Sequence, residues 1–156
     1  MLALLVFSLL VAQERSDAPK PPIETAHLVM AVSATPESAA AGKKVTLALD
    51  VTPKPKMHVY SPGQDDYIAI TLTLEANPAI TAAKAKYPAG EKFLMAALNE
   101  TQLVYAKPFR ITQDVTLKSA MGEALTIKGS VRYQACDDKI CYLPVTIPVE
   151  WRIAKQ

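Results

Sequence analysis

Cysteine is nearly absent from this 156-residue chain, which has two, Cys136 and Cys141. Histidine is equally scarce, with His27 and His58 alone. A closed zinc site takes four ligands, usually Cys or His, so the chain has few ways to build one. Met57 beside His58 has ligand chemistry suited to copper, but a Met-His pair on a loop is ordinarily just surface, and no metal ligand set is assigned. Basic clusters and basic-aromatic interleaving are missing as well, and 17 Lys+Arg face 15 Asp+Glu. Nucleic acid is therefore not an expected partner. There is no internal repeat and no low-complexity tract. After the first dozen residues, no stretch is apolar over the ~20 residues that a bilayer crossing takes.

The apolar run at the start, MLALLVFSLLVAQ, ends at Ala12. It is too short to span a membrane comfortably and fits the apolar core of a secretory signal cut after Ala12. It has no Lys or Arg ahead of it. A buried N-terminal strand is the alternative, and the polar, proline-bearing QERSDAPKPP that follows at once argues against it. No cysteine sits just after the run, so a lipid-anchored cysteine is not expected there. Residues 1–12 are read as a signal peptide, 13–24 as a flexible lead-in and 25–156 as one domain. The mature domain is expected in an exported location, where disulfides can form.

What is present suffices for a core. Half the chain is hydrophobic, and a domain of this size buries roughly two-thirds of its unfolded surface. It should not need a disulfide merely to fold. The dominant pattern has period two. Leu28, Met30 and Val32 alternate weakly with their neighbours. Val45, Leu47, Leu49 and Val51 alternate cleanly, as do Ile68, Ile70, Leu72 and Leu74. The same holds for Leu125, Ile127, Val131 and Tyr133, and for Val145, Ile147, Val149, Trp151 and Ile153. Each run puts one face in a core and the other in water. Trp151 is expected to be packing. Pro148 makes the last strand an edge or a bulged strand. Turn signals such as TPKPK, YSPGQDD and YPAGEK separate the runs. Ile80 to Lys86, rich in Ala and Lys, has helical propensity, and Phe93 to Thr101 suits a short helix or a long loop. Many short strands with frequent turns predict an all-β, antiparallel, immunoglobulin-like sandwich.

Both cysteines lie in YQACDDKICYLP, Tyr133 to Pro144, with four residues between them. One strand runs into Cys136 and another leaves from about Tyr142, so the pair flanks a tight loop at a hairpin tip. Facing residues of antiparallel strands have Cα atoms roughly 4.5–5.5 Å apart, inside the usual disulfide window of about 4.4–6.8 Å. A bridge there closes so small a ring that it contributes only about 2 kcal/mol in the chain-entropy model. A structural hairpin disulfide, a pair of metal ligands and a reversible redox pair are all open, with the placement favouring the last. If the strand continues to its end, Cys136 shares the polar phase of Arg132 and Gln134. It is then expected to be exposed, as attack by a thiolate requires. Asp137 and Asp138 would raise a nearby thiol pKa, and Lys139 would lower it.

The stretch resembles the redox loop of the N-terminal periplasmic domain of the thiol:disulfide interchange proteins, the DsbD family. Tyr133, Gln134, Cys136, Cys141 and Pro144 carry the likeness. MHVYSPGQ (Met57 to Gln64) resembles the family's early loop, and YPAGEKF (Tyr87 to Phe93) the segment before its cap. The resemblance runs from about residue 25 onward and implies an immunoglobulin-like sandwich with a redox hairpin loop at one end. It implies that Cys136 and Cys141 exchange electrons with partner proteins, Cys141 forming the mixed disulfide and Cys136 resolving it. It also implies a thioredoxin-like electron donor, exported disulfide-bearing acceptors and transient contact with a membrane-embedded thiol reductant. The place is the periplasm, and both disulfide correction and cytochrome maturation are open to such a domain. Thiol–disulfide exchange itself needs no bound cofactor. A cap loop covers the cysteines in the family, and Leu94 to Tyr105 matches it. Where the family's cap often has an aromatic between acidic residues, this chain has Ala-Leu-Asn-Glu, with Leu98 or Asn99 at the position. Tyr60 and Tyr105 are candidates to line the site, against plain core or rim positions, and Tyr133 should be buried beneath the loop. The chain ends at Gln156 without a transmembrane channel or a Cys-x-x-Cys, so the donor is expected on another polypeptide. The alternative function is a non-catalytic binding or assembly module with a structural disulfide.

Overall fold

The computed structural model describes residues 20–156 apart from 65–66, 96–98, 119–121 and 123. The segment read as a signal peptide lies outside the described residues, as do residues 13–19 of the lead-in. The strands are β1 (Ile23–Glu24), β2 (Leu28–Thr35), β3 (Ser38–Ala39), β4 (Lys44–Pro53), β5 (His58–Tyr60), β6 (Thr71–Leu74) and β7 (Ile80–Ala82). They continue with β8 (Glu91–Met95), β9 (Glu100–Tyr105), β10 (Phe109–Leu117), β11 (Ala124–Tyr133), β12 (Ala135–Cys136) and β13 (Val145–Lys155). Among the described residues there is no helix.

The strands form a five-stranded sheet, β1-β2-β4-β10-β7, and two four-stranded sheets, β3-β13-β11-β6 and β12-β5-β9-β8. Pairing is antiparallel except for the short β13–β3 contact. Period-two alternation assigns the faces. Val45, Leu47, Leu49 and Val51 of β4 and Ile111, Val115 and Leu117 of β10 point into one core. There they meet Ile127 and Val131 of β11 and Val149, Trp151 and Ile153 of β13. The Trp151 indole N–H donates to the Ala48 carbonyl at 3.0 Å, linking the two larger sheets. Two sheets packed face to face in this way make an immunoglobulin-like sandwich. At Pro148 only β11 lies alongside β13, because β3 reaches no further than Ala154 and Lys155. The missing N–H of Pro148 therefore breaks no ladder.

Two local expectations are corrected. Ile80 to Lys86 is not helical: β7 pairs with the end of β10, and Lys86 bridges to Thr112. Burial of Ile80 against the core outweighs the helical preference of Ala and Lys, which is a weak prior. The described residues of Phe93 to Thr101 are mostly strand: Phe93 to Met95 end β8 and Glu100 and Thr101 open β9, the two strands pairing with Phe93 facing Gln102, while 96–98 lie outside the described residues. A further strand, β10, is missing from the alternating runs of the sequence. Gln113 holds one of its inward positions and interrupts the apolar phase. The Gln113 amide donates to the Ala83 carbonyl at 2.7 Å, which lets a polar side chain sit there.

Gly129 of β11 marks a close approach. A Cβ there would lie 2.7 Å from the Thr73 carbonyl oxygen and 3.2 Å from Leu74 Cδ2, both on β6. Gly129→Ala is expected to cost ~1–3 kcal/mol through forced separation of β6 from β11. Urea unfolding measures it, and an unchanged midpoint would refute the close packing.

Candidate functional site

The smallest sheet has two differently used faces. Its register sets Ala135 opposite Val59 and Val59 opposite Tyr105. These three side chains join the main core. One residue further along each strand, the side chains turn to the other face. Cys136 lies opposite His58, and Tyr60 opposite Val104. Tyr60, Val104 and Cys136 form a second small core, with Tyr67 and Phe93 packed on it. Cys136 is thus at the bottom of its own hydrophobic patch.

Cys136 and Cys141 form a disulfide whose Cα atoms are 4.0 Å apart, joined by an antiparallel bridge. The two sulfurs differ in access: Cys136 is 0% exposed, whereas Cys141 is exposed. The expected exposure of Cys136 is therefore corrected. The strand does not continue to the cysteine. β11 ends at Tyr133, the chain steps at Gln134, and β12 leaves β13 to pair with β5. The side-chain phase runs on, with Tyr133 and Ala135 on the main-core face and Cys136 on the opposite one, but the pairing with β5 places that face under Tyr60, Val104, Tyr67 and Phe93.

The loop between the cysteines is held by its own hydrogen bonds. The Asp137 N–H donates to the Ile140 carbonyl at 2.9 Å, and the Tyr142 N–H to the Ala135 carbonyl at 2.8 Å. The Asp137 carboxylate accepts from the Lys139 and Ile140 N–H groups at 2.7 and 2.8 Å and from the Tyr142 hydroxyl at 2.9 Å. Those donors hold the Asp137 carboxyl below its usual range, the backbone N–H of Ile140 most strongly. The Gln134 amide closes the base on the Tyr142 carbonyl at 3.0 Å.

Tyr60 is buried, with its hydroxyl 3.5 Å from each sulfur. Its ring stacks on Tyr67 at 4.4 Å and meets His58 edge-on at 6.1 Å. Burial pushes its phenol above the ordinary value near 10, and Tyr67 and Glu100 push the same way. The Tyr67 hydroxyl donates to Glu100 and accepts from the Gln102 amide, each at 2.6 Å. Gln64 clamps the loop after β5 to β9, its amide bonding both the carbonyl and the N–H of Leu103 at 2.6 and 3.0 Å. Tyr67, Gln64 and Gln102 carry no sequence signal for this role, because each reaches the site through a partner distant in the chain.

His58 is 2% exposed, packs its ring at a tilt on Phe93 with centroids 4.8 Å apart and leaves Nε2 without a hydrogen bond. Burial lowers its pKa below the ordinary 6.5, against the smaller opposing pull of Asp138 and Asp137. Once unfolded, His58 takes up a proton below about 6.5, while in the fold it resists. The unfolded state then binds more protons, so the unfolding free energy falls as pH drops through that value. Asp137, depressed in the fold, adds loss of the same sign at lower pH. His58→Phe should flatten the slope between pH 6.5 and the carboxylate range. Denaturation at several pH values tests this, and an unaltered slope would contradict it.

A family model described as the N-terminal domain of the thiol:disulfide interchange protein DsbD matches residues 25–150. The chain belongs to this family. No curated protein sequence matches it. Among solved structures, the N-terminal periplasmic domain of ScsB from Proteus mirabilis is similar, with a TM-score of 0.55 and 14% identity. That likeness covers 83% of this chain and 47% of the other, so the chain spans about half the length of that relative. The reduced N-terminal domain of DsbD from Neisseria meningitidis has a TM-score of 0.46 and 18% identity, covering 76% of this chain and 82% of that one. The GAE domain of yeast GGA1 has a TM-score of 0.47 and 12% identity, covering 82% and 94%. Family membership together with the Cys136–Cys141 bridge marks a thiol–disulfide exchange domain.

The remaining residues carried over from the DsbD family fall in different places. Tyr105 turns to the main core, stacks on Phe109 at 4.0 Å and donates to the Pro88 carbonyl at 2.6 Å. Tyr133 is buried in the main core and donates to the Thr25 hydroxyl at 2.9 Å. Pro144 is half-buried at the entry to β13. In the cap hairpin Leu98 lies outside the described residues. Asn99 is exposed and takes φ 53°, a left-handed turn conformation that Asn tolerates.

Proposed function

We propose that this is an exported, periplasmic domain that passes electrons between partner proteins through Cys136 and Cys141. The observation that carries the proposal is the unequal access of the two sulfurs. A donor thiolate attacks the exposed Cys141 sulfur, the Cys136–Cys141 bond breaks, and Cys136 leaves with the electron pair. The donor's second thiolate then displaces Cys141 from the mixed disulfide. Two electrons arrive, the donor becomes a disulfide, and water supplies the protons. The reduced domain runs the same steps against an acceptor's disulfide, with Cys141 attacking and Cys136 resolving. A thioredoxin-like donor, exported acceptors and a membrane-embedded reductant behind the donor fit this scheme. Ile140 and Leu143, 56% and 86% exposed, flank Cys141 and offer apolar contact to a docking protein.

A purely structural disulfide is the second candidate. The loop is already closed by five backbone and carboxylate hydrogen bonds around Asp137 and Tyr142, so the bridge adds little there. Equilibration with glutathione separates the two. An exchanging pair should titrate above about −300 mV, whereas structural disulfides typically lie below it. A potential far below that mark would eliminate the electron-passing role.

A further inference from the structure

The Tyr60 hydroxyl oxygen is 3.5 Å from the Cys136 sulfur and 3.5 Å from the Cys141 sulfur. A disulfide sulfur has no proton, so the phenol is the donor toward both. We propose that Tyr60 is a catalytic residue whose single O–H stabilises whichever of the two sulfurs carries negative charge during exchange. This rests on the exchange role proposed above and extends it to a group outside the cysteines.

The need is clearest at Cys136. When an incoming thiolate attacks Cys141, the electron pair of the broken bond goes to a sulfur that is 0% exposed. A buried anion without a hydrogen bond is costly. Tyr60 already stands at hydrogen-bond distance, so nothing has to move to meet the charge. In the opposite half-reaction the reduced domain attacks with Cys141, and the same oxygen is equally near. Rotation about the C–O bond redirects the hydrogen from one sulfur to the other while the ring stays still. The ring is held by the Tyr67 stack, and Tyr67 by Glu100 and Gln102. The phenol remains protonated at neutral pH because its burial disfavours the phenolate. It donates without giving up its proton, and the electron count of the exchange is unchanged.

The charges around the site make such a donor valuable. Glu100 lies beyond Tyr67, while Asp137, Asp138 and Lys139 sit in the loop and a neutral His58 beside Tyr60. Among the described residues, these three carboxylates against one ammonium oppose a thiolate. A hydrogen bond to a charged group is worth more than one to a neutral group by an amount that corresponds to about tenfold in an equilibrium or rate.

The test compares wild type, Tyr60→Phe and Tyr105→Phe. Tyr105→Phe removes a buried hydroxyl that bonds the Pro88 carbonyl and neither sulfur. Dithiothreitol reduces the oxidised protein, glutathione disulfide oxidises the reduced one, and thiolate absorbance gives the thiol pKa. Tyr60→Phe should slow both directions about tenfold and raise the pKa of the reactive thiol by about one unit. Tyr105→Phe should match wild type in all three. Wild-type rates and pKa in Tyr60→Phe would overturn the proposal, and slowing in one direction alone would overturn the shared donor. Should Tyr60→Phe not fold, fluorotyrosine at position 60, a more acidic donor, is expected to speed exchange, and an unchanged rate would overturn the role. Wild-type protein that exchanges with neither reagent defeats the exchange role and this one with it. Normal wild-type exchange with an indifferent Tyr60→Phe defeats only Tyr60.

Discussion

With Cys136 replaced by alanine, the reduced protein is expected to form a mixed disulfide with glutathione disulfide through Cys141, while the Cys141→Ala protein should react roughly a hundredfold more slowly. The factor follows from access. Cys136 sits under Tyr60 and Val104 and is 0% exposed, so a reagent reaches it only after local opening. An opening of ~3 kcal/mol, within the range of sub-global fluctuations, leaves about one molecule in a hundred reactive. Cys141 needs no opening. In strong denaturant the two variants should react at similar rates, which separates burial from intrinsic thiol chemistry. Equal rates in the folded state would sink the assignment of Cys141 as the attacking sulfur. Either single variant should also fail to turn over, since neither can resolve its mixed disulfide.

Trp151→Ala is expected to cost about 3–5 kcal/mol, a large share of the ~5–15 kcal/mol that holds a domain of this size together. Trp151 is 2% exposed at the centre of the sandwich and ties β13 to β4 through the Ala48 carbonyl. Removal leaves a cavity and also removes the indole hydrogen bond to the Ala48 carbonyl. Trp151→Phe keeps most of the volume and loses mainly the hydrogen bond, so it should cost less than Trp151→Ala. Urea unfolding of the three proteins would show this ranking. A Trp151→Ala protein within 1 kcal/mol of wild type would mean that the sheets do not depend on this contact.

Much of the sandwich was legible in the sequence because strand faces follow a local rule. The runs through Val45, Leu125 and Val145 fall on β4, β11 and β13, with the alternating residues buried except Leu125, Val145 and Ile147, which are half-buried. β10 escaped because a single inward glutamine, satisfied by the Ala83 carbonyl, looks like a break in the pattern. The β8–β9 hairpin escaped because its strands alternate weakly and one face is lent to the disulfide patch. The cysteine pair itself stood out by rarity and spacing. Its environment did not. Parity puts Cys136 on the face opposite Tyr133 and Ala135, but nothing in YQAC signals that the chain moves from β13 to β5 and that this face is covered there. Tyr60 appeared as one aromatic among several, and its partition from Tyr105 depends on which sheet face each joins.

The order of the residues by itself pointed to an all-β chain, placed five of the thirteen described strands, and put the two cysteines at one hairpin tip. Those properties depend on neighbours a few positions apart. Only the tertiary structure decided that one sulfur is buried and the other open, and that a tyrosine hydroxyl stands between them. Both facts come from β12 pairing with β5 across 76 residues of chain between Tyr60 and Cys136. Side-chain phase tells which face a residue takes but not what covers that face, so contacts made across that distance had to fix it.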